Sequence, residues 1–204
     1  MAWVGKMLSI AAAAAAALLG IAGLAQAQNP VPAAPAPVQT APAEASPAQP
    51  NDPFGEEVML TPKSIVFVRG TTTWDTAFDT LVDAFKSVYT ALDAQGLKAV
   101  GSAMTIYTST DDTGFQFQAA VPVAEEPKEA LKGEVAFGKS PAGKAIKFIH
   151  RGSYDAMDTT YDAITNFLDE KKLEAKDLFV EQYLTDPLTT PEDKLVVEVY
   201  VPVK

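Results

Sequence analysis

The chain has 204 residues, with 16 lysines and arginines against 26 aspartates and glutamates, and a formal net charge of −10 at pH 7. It has no cysteine, which excludes disulfides, thiol chemistry and cysteine-bound zinc. A nucleic-acid partner requires a basic face, and the sequence contains no basic cluster, so the composition argues against binding to DNA or RNA.

The first predicted element is an apolar segment at the N-terminus. Residues 7–24 are uncharged and contain the alanine run Ala11–Ala17, and Ala25 and Ala27 follow in the small-residue pattern that signal peptidase recognises. We interpret residues 1–27 as a signal peptide that is cleaved near Ala27. The mature protein is then expected to be periplasmic or secreted, without a membrane attachment. An uncleaved anchor is the alternative, because the apolar run is long enough to span a bilayer.

Residues 28–55 are predicted to form a disordered tether. The segment is rich in proline and alanine, and proline removes backbone donors and favours an extended chain. The remaining residues, 56–204, are numerous enough for one domain with a substantial hydrophobic core.

This domain consists of two similar halves, residues 56–123 and 133–203 approximately. Each half starts with two strand-like segments and ends with two more, the last of which closes with AAVPV or VYVPV. Between these strands lies an apolar stripe at spacings of three and four residues, which predicts an amphipathic helix. The stripe is Phe78, Leu81, Phe85, Val88 and Leu92 in the first half, and Tyr154, Met157, Tyr161, Ile164 and Leu168 in the second.

Two further matches align the halves. Met104–Tyr107 matches Val180–Tyr183, and Ser64–Gly70 matches Ile146–Gly152 through a shared Arg-Gly ending. The second match leaves six additional residues in the first half, around Trp74. We expect Trp74 either to cap a ligand cleft or to pack at the start of the helix.

The duplication predicts an α+β fold. Each half supplies two strands, one helix and two strands, and neither helix can bury its stripe alone. We therefore expect an antiparallel sheet of about eight strands with two long helices on one face. The halves are expected to be related by an approximate twofold axis, with a ligand cleft between them.

Strand alternation assigns side chains to the two faces of this sheet. We expect the face away from the helices to collect aromatic rings and two carboxylates. The predicted ligand-binding residues there are Tyr107, Phe179, Glu181, Tyr183, Glu198 and Tyr200, with Trp74 as a seventh candidate. A carboxylate among aromatic rings suits an amphipathic cation. An ordinary solvated sheet face is the alternative.

The sequence resembles the GyrI-like small-molecule-binding family, the effector-binding domains of multidrug-responsive transcription activators. The resemblance is most specific in EQYLTDPLTTPEDKLVVEVYVPV, residues 181–203, and weaker in VGSAMTIY and AAVPV of the first half. It covers residues 56–203. It implies a cleft whose acidic residue meets cationic or aromatic compounds, and Glu181 falls on that position.

The chain departs from the familiar members of the family in two respects. No helix-turn-helix segment precedes the domain, and the N-terminus predicts export. We therefore expect a protein with the family's pocket that is not a transcription factor.

Three functions are consistent with these observations. The first is an exported protein that binds or sequesters a small molecule without a cofactor. The second, which the resemblance also implies, is a hydrolase of a small electrophilic compound with Glu181 as general acid or base. The third is a protein-interaction module of the cell envelope. A metal site is not expected, because His150 is the only histidine.

Overall fold

The computed structural model describes residues 54–128, 130–131 and 133–204. The predicted signal peptide and all but the last two residues of the predicted tether lie outside these ranges. The described strands are β1 (Glu56–Leu60), β2 (Ser64–Thr73), β3 (Met104–Thr110), β4 (Gly114–Pro122), β5 (Val135–Lys139), β6 (Gly143–Arg151), β7 (Phe179–Tyr183) and β8 (Val196–Pro202). The long helices are α1 (Ala77–Gln95) and α2 (Met157–Lys171).

The strands form one antiparallel sheet in the order β1-β6-β8-β7-β3-β4-β2-β5. Both helices pack on the same face, over a core that includes Phe85, Phe117 and Phe148. The predicted α+β fold is confirmed. Among the described residues, no helix combines the length and the apolar character needed to cross a bilayer.

The helices bury most of the predicted stripes, because residues three and four apart share one face of a helix. Of the predicted stripe residues, Phe78 stays partly exposed, and Tyr154 lies in the 3-10 turn before α2. Both helices end in the same way, at a residue in the left-handed conformation. This residue is Gly96 after α1, with φ of 64°, and Lys172 after α2, with φ of 56°. The next amide bonds back to the helix in each case, from Leu97 to the Leu92 carbonyl and from Leu173 to the Leu168 carbonyl, both at 2.9 Å.

The twofold axis of the repeat passes between β3 and β7 at the centre of the sheet. Thr105 and Glu181 occupy equivalent positions in the two halves, and they are also direct partners across these two strands. A position that pairs with its own equivalent lies on the axis. The domain therefore has Thr105 and Glu181 side by side where its halves meet.

The sheet register corrects the Arg-Gly alignment. Val66 pairs with Val121, and Ile146 pairs with Val201. Val66 is therefore equivalent to Ile146, two residues from the match that the Arg-Gly ending suggests. The first half has four additional residues at this point instead of six. They lie between Gly70 and Phe78, where β2 continues to Thr73 and the 3-10 turn Trp74–Thr76 precedes the helix.

The predicted common face for the site residues is wrong. Tyr107 pairs with Phe117 and Glu181 pairs with Val199, and direct partners in a sheet lie on the same face. Phe117 and Val199 belong to the core under the helices, so Tyr107 and Glu181 face the helices too, as do the alternate residues Phe179 and Tyr183. Glu198 and Tyr200 lie on the opposite face, where Tyr200 packs against a second apolar cluster.

Candidate functional site

A carboxylate is buried at the centre of the molecule. Glu181 has 0% of its surface exposed, and its partner across the sheet, Thr105, is equally buried. The Tyr161 hydroxyl donates to Glu181 Oε1 at 2.7 Å, and the Tyr183 hydroxyl donates to Oε2 at 3.2 Å. The Tyr183 oxygen also lies 3.4 Å from Thr105 Oγ1. Every polar atom of this group therefore has a partner.

Two more tyrosines complete the site. The hydroxyls of Tyr107 and Tyr154 are hydrogen-bonded to each other at 2.8 Å, and both side chains are buried. Tyr107 comes from β3 and Tyr154 from the short 3-10 turn Tyr154–Ala156 that precedes α2. We call these two residues together with Tyr161 and Tyr183 the tyrosine cage.

Phenylalanine rings pack around the tyrosine cage. The ring of Phe179 contacts those of Tyr107 and Tyr161, with centroids 4.9 Å and 5.6 Å apart. Phe85 meets the ring of Tyr183 edge to face at 5.4 Å. Phe78, which is partly exposed, contacts the ring of Tyr154 at 5.2 Å. Phe78 and Tyr154 are equivalent in the repeat, so the two halves also meet at this outer contact.

Burial raises the pKa of Glu181 to about 7, and hydrogen bonds from Tyr161, Tyr107 and Tyr183 only partly offset this effect. Within the described part of the chain, no lysine or arginine forms an ion pair with this carboxylate. Burial and the nearby carboxylate raise the pKa values of Tyr107, Tyr161 and Tyr183 well above the usual range, so their hydroxyls stay protonated. Among the described residues, the site therefore contains a single carboxyl group within the tyrosine cage and no cation to balance it.

The structure divides the predicted site residues into two groups. Glu181, Tyr183, Tyr107 and Phe179 come together in the site. Trp74 lies at its edge: its ring packs on Phe115 at 4.7 Å, and its Nε1 donates to the Asp111 carbonyl at 2.9 Å. Trp74 thus lies in the 3-10 turn before α1 and packs against the start of β4, and its two expected roles stay predictions.

Glu198 and Tyr200 form a separate polar group on the opposite face of the sheet. The Tyr200 hydroxyl donates to Glu198 Oε2 at 2.6 Å, and Gln182 Nε2 donates to the same oxygen at 3.4 Å. Lys147 Nζ lies 3.9 Å from the other carboxylate oxygen. Glu198 therefore has a cationic neighbour, whereas the described part of the chain places none beside Glu181.

Sequence reasoning missed Tyr154 and Tyr161 as site residues, because both belong to the apolar stripe of the second half and were assigned to the core. The signal was their hydroxyl groups. The equivalent residues of α1 are Phe78 and Phe85, and a buried tyrosine requires a polar partner that a phenylalanine does not. Among the described residues, no group of three or more potential metal ligands is found.

The family model described as GyrI-like small molecule binding domain matches residues 56–204. In the search of curated proteins, no significant match is found. Among solved structures, the C-terminal domain of EcmrR has a TM-score of 0.62 at 16% identity, covering 74% of this chain and 96% of that one. In the EcmrR–DNA complex the TM-score is 0.63 at 16% identity over 74% of this chain, which spans only 57% of that chain.

Two other structures have the same fold. A hydrolase from Listeria innocua has a TM-score of 0.54 at 13% identity, covering 74% of this chain and 92% of that one. SAV2435, in a structure bound to tetraphenylphosphonium, has a TM-score of 0.51 at 14% identity, covering 74% of this chain and 93% of that one. At these identities the comparison establishes the fold.

Proposed function

Because the chain belongs to the GyrI-like small-molecule-binding family, we propose that it binds an amphipathic organic cation beside Glu181. The cation fills the tyrosine cage, and the carboxylate provides the counter-charge. The aromatic rings provide stacking and cation–π contact.

One observation carries this proposal, namely a fully buried carboxylate that has no cationic partner among the described residues. Removing an ionised carboxylate from water is costly unless a charge of opposite sign compensates for it. The described residues supply only hydroxyl groups to this carboxylate. A lipophilic cation would supply the missing charge, and its apolar surface would match the rings of Phe179, Tyr107 and Tyr161. The tetraphenylphosphonium bound by SAV2435 is a ligand of this class.

The described structure is a closed form of the site. The ring contact between Phe78 and Tyr154 and the hydrogen bond between Tyr154 and Tyr107 join the two halves above Glu181. Because Glu181 is fully buried, a ligand reaches the carboxylate only when the site opens, and we expect these contacts to separate. Since Phe78 lies in the first turn of α1 and Tyr154 in the 3-10 turn before α2, we expect entry to involve movement of these segments relative to the sheet.

The test is calorimetric titration of the protein with tetraphenylphosphonium. Glu181→Gln should weaken binding by about 10- to 100-fold, the worth of a charge-assisted interaction in a shielded site. Glu198→Gln is the matched control, because it neutralises a carboxylate on the opposite face, and it should leave the affinity unchanged. Tetraphenylborate, an anion of the same shape, should not bind the wild type. Equal affinities of the wild type and Glu181→Gln for the cation would overturn the proposal.

A hydrolase is the second candidate. The pKa of Glu181, about 7, suits a general acid or base, and the Tyr161 and Tyr183 hydroxyls are positioned to donate. The Listeria innocua structure with this fold is a hydrolase. Mass spectrometry of strained-ring electrophiles incubated with the protein would detect turnover. Turnover that Glu181→Gln abolishes, with substrate binding retained, would establish this function over simple binding.

We further propose that the protein is exported. The observation is the apolar run before Ala27 with its small-residue cleavage pattern. Intact-mass measurement of the periplasmic fraction should find a mature N-terminus at Gln28. A product in the membrane fraction that retains residues 1–24 would indicate an anchor instead.

A further inference from the structure

His150 connects the two segments of chain that precede the outer tyrosines of the cage. It lies near the end of β6 and is 2% exposed. Its Nε2 lies 3.0 Å from the Ser153 carbonyl oxygen, and its Nδ1 lies 2.7 Å from Thr160 Oγ1. Ser153 directly precedes Tyr154, and Thr160 directly precedes Tyr161.

The partners determine the tautomer of the ring. A carbonyl oxygen can only accept, so Nε2 carries the proton and donates it to Ser153. Nδ1 is then unprotonated and accepts from the Thr160 hydroxyl. The neutral imidazole therefore makes one bond to the loop before α2 and one bond to the first turns of the helix itself.

We propose that His150 is a positioning residue that holds Tyr154 and Tyr161 closed over Glu181. The ring fixes the spacing between the 3-10 turn and the helix, and so the positions of the two hydroxyls that follow. This inference rests on the proposed function only where it concerns ligand entry. The closed cage is an observed feature.

Other hydrogen bonds hold the opposite side of the loop that contains Gly152 and Ser153. The Gly152 amide bonds to the Leu195 carbonyl at 2.9 Å, and the Ser153 hydroxyl donates to Glu192 at 3.3 Å. The loop is thus attached on its outer side to the chain before β8. His150 provides its attachment on the inner side, facing the core.

The first half uses a different device at the equivalent place. The sheet register makes Gly70 the equivalent of His150. There the start of α1 is joined to β2 by threonine hydroxyls, with Thr72 Oγ1 lying 3.0 Å from those of both Thr76 and Thr80. Only the half that contributes Tyr154, Tyr161 and Glu181 has the imidazole.

The first experiment measures the pKa of the Glu181 carboxyl by NMR titration in the ligand-free protein. His150→Leu removes both bonds, so the cage should loosen, water should reach Glu181, and its pKa should fall from about 7 towards 4.5, by about one unit or more. His150→Gln retains a donor and an acceptor and should keep the wild-type value. Thr160→Val removes one bond and should give an intermediate fall, which keeps the test decisive if His150→Leu fails to fold.

A second measurement separates this inference from the proposed function. Stopped-flow mixing with tetraphenylphosphonium should show faster association for Thr160→Val than for the wild type. If the wild type does not bind this cation but the pKa of Glu181 still falls in the variants, the proposed ligand is wrong and the positioning role stands. If Thr160→Val and a folded His150→Leu both keep the wild-type pKa at Glu181, the positioning role is wrong.

Discussion

The two halves of the domain share a backbone plan but differ in chemistry at the cage. Three pairs of equivalent residues differ: Thr105 and Glu181, Phe85 and Tyr161, Phe78 and Tyr154. In each pair the second half carries the more polar or the acidic side chain. The sheet and the helices therefore follow the repeat, whereas the ionisable site departs from it.

The position of Glu181 on the axis explains why the departure matters. A strictly symmetric chain would place a second carboxylate at position 105, directly across the sheet from the first. Two buried carboxylates at this distance disfavour ionisation of each other. Thr105 instead contributes a small hydroxyl next to Tyr183. The asymmetry leaves one acid in the cage, which matches a ligand with one positive charge.

The largest effect that we expect from this difference is on stability as a function of pH. The pKa of Glu181 is raised from 4.5 to about 7 in the folded protein, so the folded state favours the protonated carboxyl. Its stabilising contribution is fully present below pH 4.5 and is lost as the pH rises through about 7. The loss amounts to about 3 kcal/mol. Glu181→Gln should therefore be more stable than the wild type in urea unfolding at pH 8, but not at pH 4.5.

Thr105, the residue equivalent to Glu181 in the first half, provides the control for this measurement. Thr105→Val changes the other member of the axial pair without changing a charge, so the variant should retain the pH dependence of the wild type. Curves of stability against pH that run parallel for the wild type and Glu181→Gln would show that the carboxyl group is not perturbed as the structure requires.

The next effect concerns ligand affinity. A group with a pKa of about 7 is about 3% ionised at pH 5.5, so the affinity for tetraphenylphosphonium should be about 30-fold lower there than at pH 8.5. Titration calorimetry at the two pH values measures this ratio. Glu198→Gln should show the same ratio as the wild type. Affinity independent of pH would mean that the cation does not depend on the ionised form of Glu181.

A smaller effect should follow from removing the hydroxyl that Phe85 lacks in the first half. Tyr161→Phe deletes the 2.7 Å hydrogen bond to Glu181, which should cost about 1.5 kcal/mol at pH 8 and less at pH 5. It should also raise the pKa of Glu181 further, because that bond lowers it. Tyr183→Phe should cost less, since its bond is 3.2 Å long. Urea unfolding measures the stability of both variants. A larger loss of stability in Tyr183→Phe than in Tyr161→Phe would show that the bond from Tyr161 is not the stronger one.

The repeat made most of the fold predictable from the sequence. The site was harder to predict, because it depends on how the strands pair, and the sequence does not show the pairing register. The stripe through Phe85 and Tyr161 identified both helices, because its spacing is a local property of the chain. Alternation within β7 likewise separated Glu181 from Gln182. It did not reveal which of them faces the helices, since that depends on the pairing of β7 with β8, and a shift of one residue exchanges the faces.

The cage was harder to predict for a related reason. Tyr161 belongs to a helical stripe that also contains Tyr154 and is otherwise apolar. Its hydroxyl indicates that a polar partner is needed, but not which residue that partner is. That partner, Glu181, is 20 residues further along the chain on β7. The contact exists only after the helix is placed over the centre of the sheet. Tyr154 is paired with Tyr107 across the two halves in the same way.

The smallest effect that we expect compares the two helix ends. Both Gly96 and Lys172 have positive φ, a conformation that glycine adopts without strain and that costs other residues about 1 kcal/mol. Lys172→Gly should therefore stabilise the domain by up to about 1 kcal/mol. Gly96→Ala should destabilise it by a similar amount, and backbone strain is the only cause, because an added Cβ would meet no atom within 4 Å. Thermal unfolding of the two variants should give shifts of opposite sign. If the unfolding temperatures of both variants shift in the same direction, the two helix ends are not energetically equivalent, although their backbone angles are similar.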